Sequence, residues 1–450
     1  MYNINRMSAS DSIPKALQYG ASQSQARVVR QTVMPAGTSS GSAGSIVRFM
    51  LPQKSIIDLR SLSLYYDYTI SGLLNTGAGD YINSEIPASY KHWKSIRFYV
   101  SGAVASGGMC QHYDQVYHAL VKATGSEDWT YSRLNNHYLE LVQSTGLQAQ
   151  PGVTSKTARV TCDDFFGLPN SKNFCIDSSL FGNVEMEIQF NDNYQLKVAR
   201  ATATDGVALA AAVPSFSNIK LCVDTVVSIS PLYVSLLAER LQVDTPIRLP
   251  FQEIRSIVSA NTGSNRLTLN GACIDALVVC PFNADPNVNA SQVVGTSFPN
   301  NPHYKFNSGR TEANANETRV SIQVGSEVFP RTPVSHATEL ADITMNSLYG
   351  NSAQSKNLLY YGVNSGTDAL PGAMNLSRLN FLTDNAVLVN KFSLNSEGWA
   401  DGVMTGLNCA GSAVDFVVNT TNFGTHLLIA SLQTSCLVFD PRTSAISIES

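Results

Sequence analysis

Two strand–loop–helix phrases recur half a chain apart, and that recurrence limits what these 450 residues can build. The alternating run Ile96–Val100 leads through Gly102 into an amphipathic stretch that stops before Gly125. The run Arg319–Val324 leads through Gly325 into another that stops before Gly350. The two pairs of glycines are 223 and 225 residues apart, and half the chain is 225. Ile57-Asp58-Leu59 returns as Ile274-Asp275-Ala276, and Leu221-Cys222-Val223 is echoed by Leu437-Val438-Phe439 at a similar separation. A long fixed period of this kind marks duplication of one unit. The competing explanation, since identity between the halves is low, is two β domains that share a strand, a turn and a helix by coincidence.

The unit is built of strands. Leu62, Leu64, Tyr66, Tyr68 and Ile70 alternate with Ser61, Ser63, Tyr65, Asp67 and Thr69, the period of two expected when one face of a sheet is buried. Val184–Phe190 and Arg319–Val324 alternate in the same way. Shorter apolar runs bounded by Gly, Pro, Asn or Ser are Ile96–Val100, Ile219–Ile229, Leu267–Leu269, Ile274–Val279, Val414–Val418, Leu427–Leu432, Cys436–Phe439 and Ile446–Ile448. Only three segments read as helix. One carries Met109, Tyr113, Val116, Tyr117, Leu120 and Val121 on a single stripe. A second, about 335–349, carries Ala337, Ala341, Met345 and Leu348. A third opens at Ser230-Pro231, a capping residue followed by proline at the first helical position. The chain is therefore expected to be all-β, with helices few and short.

Charged residues make up 14% against roughly 25% in ordinary globular chains, while hydrophobic residues reach 44%, enough for large cores. A net charge of −4 and a pI near 6.0 exclude a protein whose whole surface binds nucleic acid or anionic membrane. Basic character is local. Residues 1–44 are polar and rich in Ser, Gln, Gly and Ala; counted through Arg48, they hold Arg6, Lys15, Arg27, Arg30 and Arg48 against Asp11 alone. This stretch reads as a basic arm, either a frayed terminus or a segment that meets nucleic acid or a neighbour. The expected organisation is an arm at 1–44, a first β unit at 45–229, a helical connector at 230–245 and a second β unit at 246–450. The start of the chain lacks the apolar core of a signal peptide, and no run approaches the ~18 apolar residues of a membrane span. Long Asn-, Ser- and Gly-rich stretches, such as 75–88, 124–154, 283–318 and 351–375, interrupt both units and would decorate one end of a sandwich.

Chemistry is hard to find. The eight cysteines show no CxxC pair and read as reduced, packed thiols. The seven histidines form no HxxxH, HExxH or His-plus-Cys spacing. Cys110, Asp114 and His118 stand one helical turn apart, so a metal or nucleophilic site can be drawn there, but such a trio is more often the semi-polar shoulder of an amphipathic helix. Asp163-Asp164 point to opposite faces if extended. Glu185 and Glu187 share one face, expected to be the solvated one. GxSxG, a P-loop and a dinucleotide fingerprint are all missing. Neither catalysis, a metal nor a cofactor is expected.

A basic polar arm, then Ile46-Val47-Arg48-Phe49 and Leu51-Pro52 leading into Ile57-Asp58-Leu59 and a long alternating strand, resembles the opening of the first barrel of double jelly-roll major capsid proteins. That lineage includes adenovirus hexon and the capsid proteins of many tailless icosahedral DNA viruses. Pro246-Ile247-Arg248-Leu249-Pro250-Phe251 is similar to the second barrel's first strand. Ile322-Gln323-Val324-Gly325-Ser326, with Phe329-Pro330 and Pro333-Val334, resembles that barrel's strand–loop–helix element. The resemblance implies two eight-stranded jelly-roll β-sandwich barrels in tandem, in a homotrimer that forms a pseudo-hexagonal capsomer. It implies self-assembly rather than turnover, a place in the virion, and contacts with penton and minor capsid proteins. The arm, through Arg6, Lys15, Arg27 and Arg30, would face genome or an internal membrane. Two rival readings stay open: a single jelly-roll capsid protein with a projecting β domain, and a two-domain β-sandwich that binds or processes carbohydrate.

Overall fold

The computed structural model describes residues 28–71, 81–83, 92–124, 147–148, 155–162, 165–170, 175–192, 199–200, 213–226, 231–242, 246–268, 271, 273–283, 306, 308, 319–334, 339–340, 342–344, 347, 361–363, 374–376, 386–393, 406–409 and 415–449. Arg6, Lys15, Arg27, Asp163 and Asp164 lie outside them.

Eight strands form the two main paths of the first barrel: β1 (Val28–Val33), β2 (Ile46–Met50), β3 (Ile56–Ser71), β4 (Trp93–Val100), β5 (Ala103–Ser106), β6 (Cys175–Asp177), β7 (Val184–Phe190) and β8 (Val213–Val226); off these paths Gly41–Ser42 pairs with β8 and Ser155–Cys162 with β3. They hydrogen-bond in the orders β1-β8-β3-β6 and β2-β7-β4-β5, all antiparallel. The second half contributes β9 (Ile247–Ala260), β10 (Ser264–Thr268), β11 (Ile274–Phe282), β12 (Arg319–Val324), β13 (Glu327–Val334), β14 (Leu388–Lys391), β15 (Asp415–Thr421) and β16 (His426–Asp440). Their orders are β9-β16-β11-β14 and β10-β15-β12-β13. Adding eight to every strand of the first pair of sheets gives the second pair. Both halves are jelly rolls of one topology, the two-sheet arrangement that protects most sheet edges by doubling.

Alternation fixes which face of each sheet is buried. In β3 the side chains of Ile57, Leu59, Leu62, Leu64, Tyr66 and Tyr68 are buried, and in β7 those of Val184, Met186, Ile188 and Phe190 meet them across the sandwich. Phe190 stacks on Phe216 of β8 with centroids 3.8 Å apart, and Trp93 and Tyr66 complete the aromatic floor. The second barrel has its own core of Leu277, Val279, Val320, Ile322, Leu388, Phe416, Val418, Leu427 and Ile429.

Several elements differ from the sequence reading. Val28–Val33, inside the stretch expected as an arm, pairs along its whole length with β8, so the first barrel's sheet begins before residue 45. It is an edge strand with Val28, Arg30 and Thr32 turned outward, and its three Val and one Thr are a strand signal that the polar residues around it outweigh. Gly102 and Gly325 open not into short loops but into hairpin partner strands, β5 and β13. Ser101 and Gly102 both take positive φ between paired Val100 and Ala103, the geometry of a tight two-residue hairpin turn. Leu427–Leu432 and Cys436–Phe439 belong to one continuous strand, β16. The three echoes fall on equivalent strands, the third, fourth and last of each barrel. The last echo is shifted in register: β3 starts opposite Val226, whereas β11 starts opposite Gln433. Strand β16 thus overshoots the third strand and pairs with the start of β9 and with Ala445–Glu449.

The connections β3 to β4, β5 to β6 and β7 to β8 leave from one end of the first barrel. Short strands within them, Tyr81–Asn83, Leu147–Gln148 and Ala199–Arg200, pair into a separate three-stranded sheet. These short strands tie the three connections to one another. Helix α1 (Tyr113–Thr124) comes after β5, and helix α2 (Pro231–Gln242) joins the barrels, packing Leu241 against the core.

Candidate functional site

Among the described residues no three His, Cys, Asp or Glu side chains lie together in a way that could hold a metal ion. The expected trio resolves into packing, and α1 begins only at Tyr113, so Cys110 lies ahead of it in a bridge to Ser256. Cys110 is buried and its thiol is pushed up to about 12 by desolvation. Asp114 accepts a hydrogen bond from Asn191 Nδ2 at 2.9 Å, and the His118 ring sits 5.6 Å from that of Phe306. Residues 112–120 are buried on every side because α1 lies in the seam between the barrels.

That seam joins residues of both barrels in one apolar cluster. Ser256 of β9 donates its backbone N–H to Met109 O at 3.1 Å, its hydroxyl donates to Gln111 O, and it forms a parallel β-bridge with Cys110. Behind this contact the outward positions of the second barrel's sheet are apolar: Ala276, Val278, Cys280 and Phe282 on β11, and Leu428, Ala430 and Leu432 on β16. These join the first barrel's core cluster, while Leu277, Val279, Leu427 and Ile429, one residue out of phase, face the second barrel's own core. β11 and nearly all of β16 are consequently buried on both faces. Phe181 of the first barrel and Phe439 of the second meet edge to face at 6.0 Å. A dry contact of this breadth makes the two barrels one rigid body.

The equivalent face of the first sheet is open and polar. Arg30, 46% exposed, reaches Asp224 at 3.3 Å and donates to Ser63 Oγ at 2.9 Å. Arg159 pairs with Asp67 at 2.7 Å, and Lys220 lies over the Tyr65 ring. Burial pushes the Asp67 carboxyl up, but hydrogen bonds from Asn218 and Arg159 outweigh it and hold the group below its ordinary value. Arg30, expected on a free arm, is thus a sheet residue.

Glu187 is a correction. Expected on a solvated face, it is only 3% exposed, because Arg48 (2.6 Å) and Arg97 (3.2 Å) close over its carboxylate from the two flanking strands, with Tyr99 OH at 3.4 Å. The cross-strand pairs Glu187↔Arg48 and Glu187↔Arg97 create this triad. No residue spacing announces it, since strand register is invisible until partners are known. Asp275 carries no signal in the sequence beyond its place in an echo. It sits at a register shift in β11, accepts from Thr434 Oγ1 at 2.6 Å and from the Cys273 thiol at 3.5 Å, and is raised to about 6 by desolvation. Its counterpart Asp58 stands at the register shift of the first barrel, opposite Asp224, and is also raised by desolvation.

No protein-family model matches the chain, and no curated protein matches it in sequence. Solved structures do match. VP54 of PBCV-1, a crystal structure fitted into a reconstruction of the virophage Sputnik, superposes with a TM-score of 0.57 at 12% identity, covering 92% of this chain and 95% of that one. The PBCV-1 capsid gives 0.54 at 13% identity, with the same two coverages. The Faustovirus major capsid protein gives 0.53 at 10% identity, covering 92% and 91%. The chain has the double jelly-roll fold of these proteins, shared across nearly the whole length of both partners.

Proposed function

We propose that the chain is a viral major capsid protein that acts by assembly rather than catalysis. One observation carries this reading: two barrels of identical strand order along their main paths, packed on a shared apolar seam, align over 92% of the chain with VP54 of PBCV-1. Rigid walls with loops gathered at one end suit a shell, since tiling needs fixed edges while the loops are free to vary. Three copies would place six like barrels about a threefold axis, a six-sided tile that closed symmetry can set on an icosahedron. The low charge and abundance of Ser, Thr and Asn suit wide contacts made by neutral hydrogen bonds and water. Within this reading Arg6, Lys15 and Arg27 lie on the inner surface, toward genome, an internal membrane or a neighbour's base, and penton and minor capsid proteins complete the shell.

Mass photometry and negative-stain imaging of the purified chain test the proposal. Trimers with a hexagonal outline, or closed shells, are expected. A monomer at micromolar concentration that binds glycans would replace the reading with a carbohydrate-binding one.

A further inference from the structure

We infer that the free edge of the strand Ala445–Glu449 is a self-complementary seat for the same strand of a second copy, joined antiparallel about a twofold axis at Ser447. The inference rests on the capsid reading and names the edge through which one trimer meets the next.

Where β16 overshoots β11, the strand β17 (Ala445–Glu449) folds back onto the overshoot through the turn at 441–444, pairing Asp440 with Ala445 and Cys436 with Glu449. β9 occupies the other edge of β16 from His426 to Phe439. Among the described residues β17 therefore pairs with β16 alone, and its outer edge is open. The first barrel offers no place for such a strand, because β3 already pairs with Val226 at the end of β8.

An open row of N–H and C=O groups is a template for another strand, and edges are ordinarily blunted by proline or by a charged side chain. Among the described edge strands of five or more residues, β1 carries Arg30, β2 Arg48, β9 Pro250, β10 Arg266 and β13 Pro330, while Ser155–Cys162 carries Lys156 and Arg159. β17 has no proline and no basic residue. Its one charge, Glu449, stands at its end, 3.3 Å from Arg248 of its own chain.

The order of residues in β17 selects the second copy as occupant. Read outward from Ser447, the strand shows isoleucine in both directions, so antiparallel pairing centred there sets Ile446 of each copy against Ile448 of the other. Both isoleucines are half-buried against the apolar cluster of the seam, and pairing extends that cluster across the axis. The two Glu449 carboxylates fall at opposite ends of the paired strands. At about 3.3 Å per residue they are about 13 Å apart, beyond the screening length of about 8–10 Å. Parallel pairing would bring them side by side, and a slip of one residue would set Ile against Ser. A contact of this kind is isologous and closes with two copies, so it joins trimers to one another rather than building them.

Cysteine cross-linking tests this, in a Cys175→Ser background because Cys175 is the exposed native thiol. Directly opposed residues of an antiparallel pair have Cα atoms about 4.5 or 5.5 Å apart, within reach of a disulfide. Ser447→Cys treated with diamide is expected to give a covalent chain dimer on a non-reducing gel, and Ala445→Cys, about 13 Å from its own copy, is expected to give none. Ser447→Lys sets two ammonium groups on the axis and is expected to weaken association between trimers at least about tenfold, with trimers and melting temperature unchanged. A Ser447→Cys chain that builds trimers and shells without a covalent dimer, or that cross-links no better than Ala445→Cys, overturns the inference and leaves the capsid reading standing. A Ser447→Cys dimer from a chain that never trimerises upholds the twofold edge and removes the capsid reading.

Discussion

Replacing Asp275 by Asn should abolish a pH dependence that runs opposite to ordinary acid denaturation. Asp275 is 4% exposed, and its carboxyl is raised to about 6 by desolvation against an ordinary value of 3.8, the Thr434 and Cys273 hydrogen bonds only partly offsetting burial. A folded-state value above the unfolded one means that the native state holds a proton the unfolded chain has released. The associated stability is complete below pH 3.8 and is lost as pH rises through 6. The slope is about 1.4 kcal/mol per pH unit across that window, so the whole effect is on the order of 3 kcal/mol. Asn has nearly the same shape, keeps an oxygen for Thr434 and never ionises.

The assay is the denaturation midpoint of wild type and Asp275→Asn at about pH 4, 5, 6 and 7, at fixed protein concentration because association shifts apparent stability. Comparing the two chains removes the contribution of carboxylates held low, such as Asp67, whose stabilisation is present above the unfolded value and fades as pH falls. The variant should gain on wild type steadily from about pH 4 to 6 and level off above. A difference that stays flat across the range would refute the premise that this carboxyl is protonated in the fold. Asp58, raised for the same reason, should add a contribution of the same sign.

The packing makes three further outcomes testable. Leu120→Asp places an unpaired charge in the seam, where Leu120 is 3% exposed, and should cost at least about 3 kcal/mol, seen as aggregation or loss of the folded chain on gel filtration. Gly107 takes φ +77°, and a Cβ there would sit 1.9 Å from Ile96 O, so Gly107→Ala should lower the melting temperature by the equivalent of about 2 kcal/mol or more. Removing residues 1–27 should leave the fold intact by circular dichroism, whereas removing 1–44 strips β1 from β8 and should expose a sheet edge that aggregates.

The doubled architecture was legible because two units of one strand order meet the same local physical demands. Gly102 and Gly325 mark hairpins that need positive φ, and alternation in β3, β7 and β12 declares a buried face without knowledge of the partner. What stayed hidden depends on pairing. β1 is a six-residue edge strand set in a polar stretch, so its three Val and one Thr are a short signal, and its Gln31 finds a partner only in Thr225, 194 residues away. Glu187 looks solvated until register sets arginines on both sides of it. The continuous apolar run of β11 is a sequence signal that can be read in retrospect: a strand of Ala276, Leu277, Val278, Val279 and Cys280 has no polar face because both faces are covered.

That last contrast ties fold to assembly. Two sheets of common topology have diverged where their surroundings differ, the second losing its polar outer face to the seam and the first keeping Ser63, Tyr65, Asp67 and Thr69 toward the outside. A chain whose first-barrel face were as apolar as its second would carry a large sticky patch from synthesis until it met another copy, and patches of that kind promote disordered association. With the apolar contact made within the chain and the polar face left outside, each copy buries its seam without needing a second copy to cover it.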